Sequence, residues 1–214
     1  MTHTLYRAGS IESQASEVCW LLYTSKGLND TNFVEAARHY IAAVEATGDD
    51  VNWGETQIGT KMRTGTEHVK NNLKKNSRLR GVFSQKQSAV RFLKEIQGKN
   101  LFQSVLISGI LTDIAVICAE AGVVPRYCNF SLGIFGNKAK LPDEQTLAIT
   151  TMCGHHRISP KYVQALRQDV ERGWMSAEDA AHKLASICLC GIFNPKRACT
   201  LLQQAVSQPH QLKE

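Results

Sequence analysis

Apolar and polar positions along the chain divide it into helical stretches, short strands and breaks. Residues 10–25 and 30–46 carry apolar side chains at helical spacing, begin on the capping residues Ser10 and Asp30, and close on Gly27 and Gly48. They predict two amphipathic helices paired as a hairpin. From 50 to 65 the periodicity fails, and Gly54, Gly59 and Gly65 interleave with Thr56, Thr60 and Thr64 in a loop that carries Lys61 and Arg63. It opens onto a short helix over 66–75. The pattern then predicts a helix over 84–97, a strand over 104–108, a helix over 111–120 and a strand over 126–132. That order suggests a small βαβ-like layer, in which a right-handed crossover joins parallel neighbours.

The last third is punctuated by helix starts at Pro142, Pro160, the pair Ser176 and Asp179, and Pro195. Four helices with short connections follow one another there. The expected fold class is therefore α/β and α-rich: N-terminal helices, a small βαβ-like layer and a C-terminal helical bundle. Residues 1–140 would form an α/β domain with the helical hairpin and a basic segment, and residues 141–214 a helical bundle that binds a metal or cluster.

Composition narrows the class. With 214 residues, 43% hydrophobic and 21% charged, the chain is long and apolar enough for a packed core, which excludes disordered and collagen-like readings. No apolar run reaches the roughly 20 residues of a membrane span, and residues 1–10 lack the apolar stretch of a secretion leader. A cytoplasmic protein with no membrane partner is expected. Seven cysteines are an odd number in a chain that needs no disulfide framework, so reduced thiols are expected.

Charge is uneven. Residues 1–60 hold 3 basic and 8 acidic residues, residues 61–100 hold 11 and 2, and residues 101–214 hold 11 and 9, giving −5, +9 and +2. So basic a segment suggests a face for a small phosphorylated or carboxylated ligand or for RNA; the alternative is a solvated face paired with the acidic block. Only Phe83 and Phe92 interleave with its cations, which weakens a single-stranded nucleic-acid reading. The 54–66 loop resembles an anion cradle in composition, yet it has no Walker spacing, and no GxGxxG occurs after the 104–108 strand.

Candidate chemistry concentrates in two connections of the bundle, Cys153-Gly154-His155-His156 and Cys188-Leu189-Cys190-Gly191. The helix after the first connection leads away and the next, of similar length, leads back, so both connections fall at one end of the bundle. Cys153, Cys188 and Cys190 are then candidate metal ligands, with His155 or His156 as the fourth. A C-x-C pair plus a distant cysteine suits an iron–sulfur cluster, such as a [4Fe–4S] centre with one open iron, better than a standard zinc knuckle; zinc is the alternative. Gly154 and Gly191 would let backbone amides approach the sulfurs. Whichever histidine is not a ligand is a candidate catalytic acid or base, and Lys61, Arg63 and Arg157 are candidate anion holders.

Other readings stay open. The cysteines are also ordinary small buried residues, and Cys153 beside a histidine is also the pattern of a nucleophile. Cys19, Cys118 and Cys199 fall on apolar helix faces and are assigned to the core, while Cys128 is a reserve ligand on the 126–132 strand, with Asn129 and Ser131 as polar contacts. Two functions are carried forward. One is a metal-binding protein that binds or acts on a small anion; the other is an RNA- or partner-binding protein with a structural metal and a basic surface.

Overall fold

Val18–Tyr23 is an unbroken apolar run, and in the computed structural model it is a strand, β1, buried at every position but its last. The model describes residues 6–49 and 51–207. Residues 1–5 of the leader expectation and Asp50, at the head of the glycine- and threonine-rich stretch, lie outside the described residues. β1 corrects the expected helix over 10–25, of which only α1 (Ile11–Gln14) forms. A strand covered on both faces loses its alternation, and a short apolar run then looks the same as a buried helix. The second expected helix stands as α2 (Phe33–Ala46).

Four further strands are β2 (Trp53–Glu55), β3 (Gly59–Thr60), β4 (Arg80–Phe83) and β5 (Ser104–Ser108). Between β3 and β4 lie α3 (Lys61–Thr64) and α4 (Thr66–Asn71), and around β5 lie α5 (Lys86–Ile96) and α6 (Leu111–Ala121). The sheet runs β3-β2-β4-β1-β5 with every neighbour antiparallel, which corrects the expectation of parallel neighbours. β4 and β5 both oppose β1, so they run parallel to each other with α5 crossing between them. The βαβ unit exists one strand earlier than expected, and β1 splits it. Residues 126–132, expected as a strand, are irregular, with Tyr127, Phe130 and Leu132 exposed.

The C-terminal helices are α7 (Glu144–Thr150), α8 (Pro160–Glu171), α9 (Ala177–Ile187) and α10 (Pro195–Ser207). The Asp143 carboxylate accepts the Thr146 N–H and the Ser176 hydroxyl accepts the Asp179 N–H, capping α7 and α9. This confirms the α-rich α/β class. Two cores lie on the two faces of the sheet. Val18, Trp20 and Leu22 of β1 and Phe83 of β4 pack with Phe33, Tyr40, Phe92 and Ile117 of α2, α5 and α6. Cys19 and Val82, the alternate positions, pack with Ile149, Leu166, Leu184 and Leu202 of α7 to α10. Gly81 lets the first core close, because a Cβ there would lie 2.6 Å from the Trp20 ring. No helix among the described residues is long and apolar enough to cross a membrane.

Candidate metal centre

The 12 residues of α8 and 11 of α9 take the chain out and back, so the connections before and after them meet on the second face of the sheet. In the first, the His156 N–H donates to the Cys153 carbonyl at 2.9 Å, and His156 has φ +52°. This tight turn keeps Cys153 buried and leaves His155 and His156 exposed beside it. In the second, Cys188 caps α9, and the loop then presses onto β2. Gly191 has φ +80°, and a Cβ on it would collide with the Trp53 backbone, so both the conformation and the approach require glycine.

Four donors are linked in series. Cys153 interacts with Cys188, the Cys188 and Cys190 sulfurs are 3.9 Å apart, and the Cys190 sulfur is 3.6 Å from His155 Nδ1. All three sulfurs are inaccessible to solvent. The contacts form an open chain. Among the described residues, no three Cys, His, Asp or Glu side chains are drawn close enough to make a ready cage for a metal ion.

Hydrogen bonding and burial act unequally on the three thiols. Hydrogen bonds from the Cys153 and Cys190 thiols, and then the amides of Cys190 and Phe193, hold Cys188 well below the usual thiol range against its burial. Donating to Cys188, together with burial, pushes Cys153 and Cys190 up. Backbone amides of His155 and Arg157 favour the Cys153 anion, and that of Ile192 favours the Cys190 anion. The amides that reach the sulfurs are therefore those of neighbouring residues, not of Gly154 or Gly191. Burial and then the charge of Arg80 lower His155, favouring the neutral imidazole that a metal requires.

Buried arginines surround the thiols. Arg7 donates to Glu17 at 3.0 Å and to the Ile192 carbonyl at 2.8 Å, tying the N-terminal segment to the cysteine loop. Arg197 donates to Glu17 at 2.6 Å and to the Ala8 carbonyl at 2.6 Å. Arg80 shares the Val82 face of β4 and acts electrostatically on both His155 and Cys190. It also walls a polar cleft of about 480 Å³ with Glu55, Gln57, Lys74 and Arg78. The Thr56 hydroxyl receives Arg80 Nη1 at 2.6 Å, whereas Arg80 Nε is buried without a partner. Glu55 accepts the amides of Gln57 and Ile58, which shapes the cleft wall.

Cys153, Cys188, Cys190 and His155 thus meet, and His156 stands next to them. The anion candidates separate. Lys61 lies near Glu45, Asp49 and Lys196, Arg63 is exposed on α3, and Arg157 is beside His155; none of the three lines the cleft. Cys153 interacts with the Cys188 thiol, and His155 faces Cys190. Cys128 is exposed on the irregular 126–132 segment, while Cys19 and Cys118 are buried. Sequence reasoning missed Arg80, Arg7, Glu17 and Arg197. The signal for Arg80 was a cation two residues before Val82 in a short apolar stretch, which puts it on one face of a strand. No protein-family model, curated protein or solved structure matches this chain.

Proposed function

We propose that this is a metal-binding protein in which Cys153, Cys188, Cys190 and His155 hold one zinc ion, and that it binds a small anion in the cleft walled by Lys74, Arg78 and Arg80. The convergence of three buried thiols and an imidazole carries the reading. With zinc–sulfur bonds of about 2.3 Å and zinc–nitrogen bonds of about 2.0–2.1 Å, a tetrahedral centre has ligand separations of roughly 3.5–3.8 Å. The contacts of 3.9 Å and 3.6 Å have nearly those lengths, and small side-chain rotations would draw the open series around one ion. In a [4Fe–4S] cluster each cysteine binds a different iron, which holds the ligand sulfurs well apart; Cys188 and Cys190 are in contact. Their separation therefore favours zinc over the cluster expected from spacing alone.

Four protein ligands make a closed, structural ion that would pin both connections to the sheet. Binding would release protons from Cys153 and Cys190. The centre and the anion share Arg80, so loading one site would stiffen a wall of the other. His156, exposed next to the centre, is left for proton transfer. A cleft lined by no Phe, Tyr or Trp suits a small anion better than RNA, whose single strands need stacking platforms. Reduced thiols suit the cytoplasm.

Metal analysis and calorimetry test this together. Purified protein should carry one zinc per chain, lost in Cys188→Ser and Cys190→Ser but kept in Cys19→Ser and Cys199→Ser. Inorganic phosphate should bind, and Lys74→Gln with Arg78→Gln should weaken it roughly tenfold or more, as the loss of charge-assisted contacts requires. Equal zinc retention by all four cysteine variants would defeat the metal reading. Phosphate binding indifferent to the cleft charges would defeat the anion reading.

A further inference from the structure

β5 is an edge of the sheet, and it reads Ser-Val-Leu-Ile-Ser, with no charge, proline or bulge to blunt it. The opposite edge is the two-residue β3, followed at once by α3. Sheets that leave an edge long, flat and apolar use it for pairing. Beside β5 in sequence lies the largest concentration of exposed apolar side chains. Phe102 precedes the strand, and Val124, Tyr127, Phe130, Leu132 and Phe135 follow α6 in the irregular segment, each at least 66% exposed. Soluble monomers rarely leave so much apolar surface in one stretch.

We propose that β5 and the 124–135 segment form the interface of a two-fold symmetric dimer of this chain. A two-fold axis beside β5 would pair it antiparallel with its own copy, continuing the order that every other neighbour in the sheet follows. Self-pairing needs a surface without like charges facing each other. Residues 104–108 contain no Asp, Glu, Lys or Arg, and residues 124–135 contain one, Arg126 near their start, in a chain of net charge +6. The area also suffices. Each aromatic side chain can bury about 150–250 Å², so four aromatics and two aliphatic residues reach the ~800 Å² per partner of a standard interface. Exchange of the irregular segments across the axis would give their aromatic side chains a core to enter.

Sedimentation velocity of the full chain across a concentration series tests this, with amide exchange read at β5. The wild type should sediment as a dimer at micromolar concentration, with the amides of Ser104–Ser108 protected. The triple variant Tyr127→Ser, Phe130→Ser, Phe135→Ser changes only exposed side chains, so its circular dichroism should match the wild type. Its dimer dissociation constant should rise about a hundredfold or more, with β5 exchange accelerated. A wild type that is monomeric at about 100 μM overturns the proposal, as does a triple variant that dimerises normally. A monomer that instead pellets with phosphatidylcholine vesicles assigns the surface to lipid and overturns it equally.

Discussion

The two faces of the sheet are buried to similar depth by opposite means. On one, Trp20 and Phe83 meet Phe92 at centroid distances of 5.9 and 5.5 Å, and the core is closed by apolar contact alone. On the other, an equally buried space holds the thiols of Cys19, Cys153, Cys188 and Cys190 with Glu17 and the guanidinium groups of Arg7 and Arg197. Two arginines stand against one glutamate, and Cys188, held below the usual thiol range, lies next to Arg7. Apolar packing is complete in itself. The polar face depends on each of its charges, and in the proposed holo state it depends on an ion as well.

Substitutions on the two faces should therefore respond differently to chelation. Trp20→Ala should cost about 3–5 kcal/mol by urea unfolding, by the same amount with and without chelator, because its loss is that of packing and a cavity. Glu17→Gln removes the anion between Arg7 and Arg197 and should cost about 3 kcal/mol, the penalty for leaving buried charge uncompensated. Unlike Trp20→Ala it should also weaken zinc binding, since Arg7 holds the Ile192 carbonyl in the cysteine loop. Chelation of the wild type should lower stability by about 2.7 kcal/mol when zinc stands at a hundredfold excess over its dissociation constant. Cys188→Ser should show no such response. Equal chelator sensitivity of Trp20→Ala and Glu17→Gln would erase the distinction between the faces.

The smallest effect lies at the edge of the polar face, at the start of α7. Burial raises the Asp143 carboxyl, but hydrogen bonds from the Thr146 hydroxyl and amide, and the charge of Arg167, outweigh it and hold it below the usual range. A depressed carboxyl contributes stability above its unfolded pKa and loses it as pH falls through the folded one. Asp143→Asn should thus cost about 0.5–1 kcal/mol at neutral pH and flatten the acid limb of the stability profile below pH ~4, with no change in zinc content. A steeper acid limb in the variant would contradict the sign.

The polar face was partly legible in the sequence because its geometry follows from local signals. Pro160 and Ser176 mark helix starts, two helices of similar length return the chain, and this alone brings Cys153 near Cys188 and Cys190. The C-x-C spacing points to a cluster because it departs from the zinc knuckle, whereas how far apart the two sulfurs stand depends on the turn at Gly191 against Trp53. The apolar face was harder to read. Val18–Tyr23 lacks alternation because both its sides are covered, β2 and β3 are too short to show a period, and antiparallel order with β1 between β4 and β5 is a non-local choice. In 126–132 the apolar residues imitate a strand, although no strand among the described residues pairs with them. Arg80 takes its meaning only from the register that sets it opposite Leu21 and Gly54.

X-ray absorption at the zinc edge of protein purified without added metal tests the central claim most directly. One zinc per chain should appear with about three sulfurs near 2.3 Å and one nitrogen near 2.0–2.1 Å, and no zinc should be bound in Cys190→Ser. Brown protein with iron and acid-labile sulfide would put a cluster in place of the single ion, and metal-free wild-type protein that also refuses added zinc would contradict the metal centre altogether.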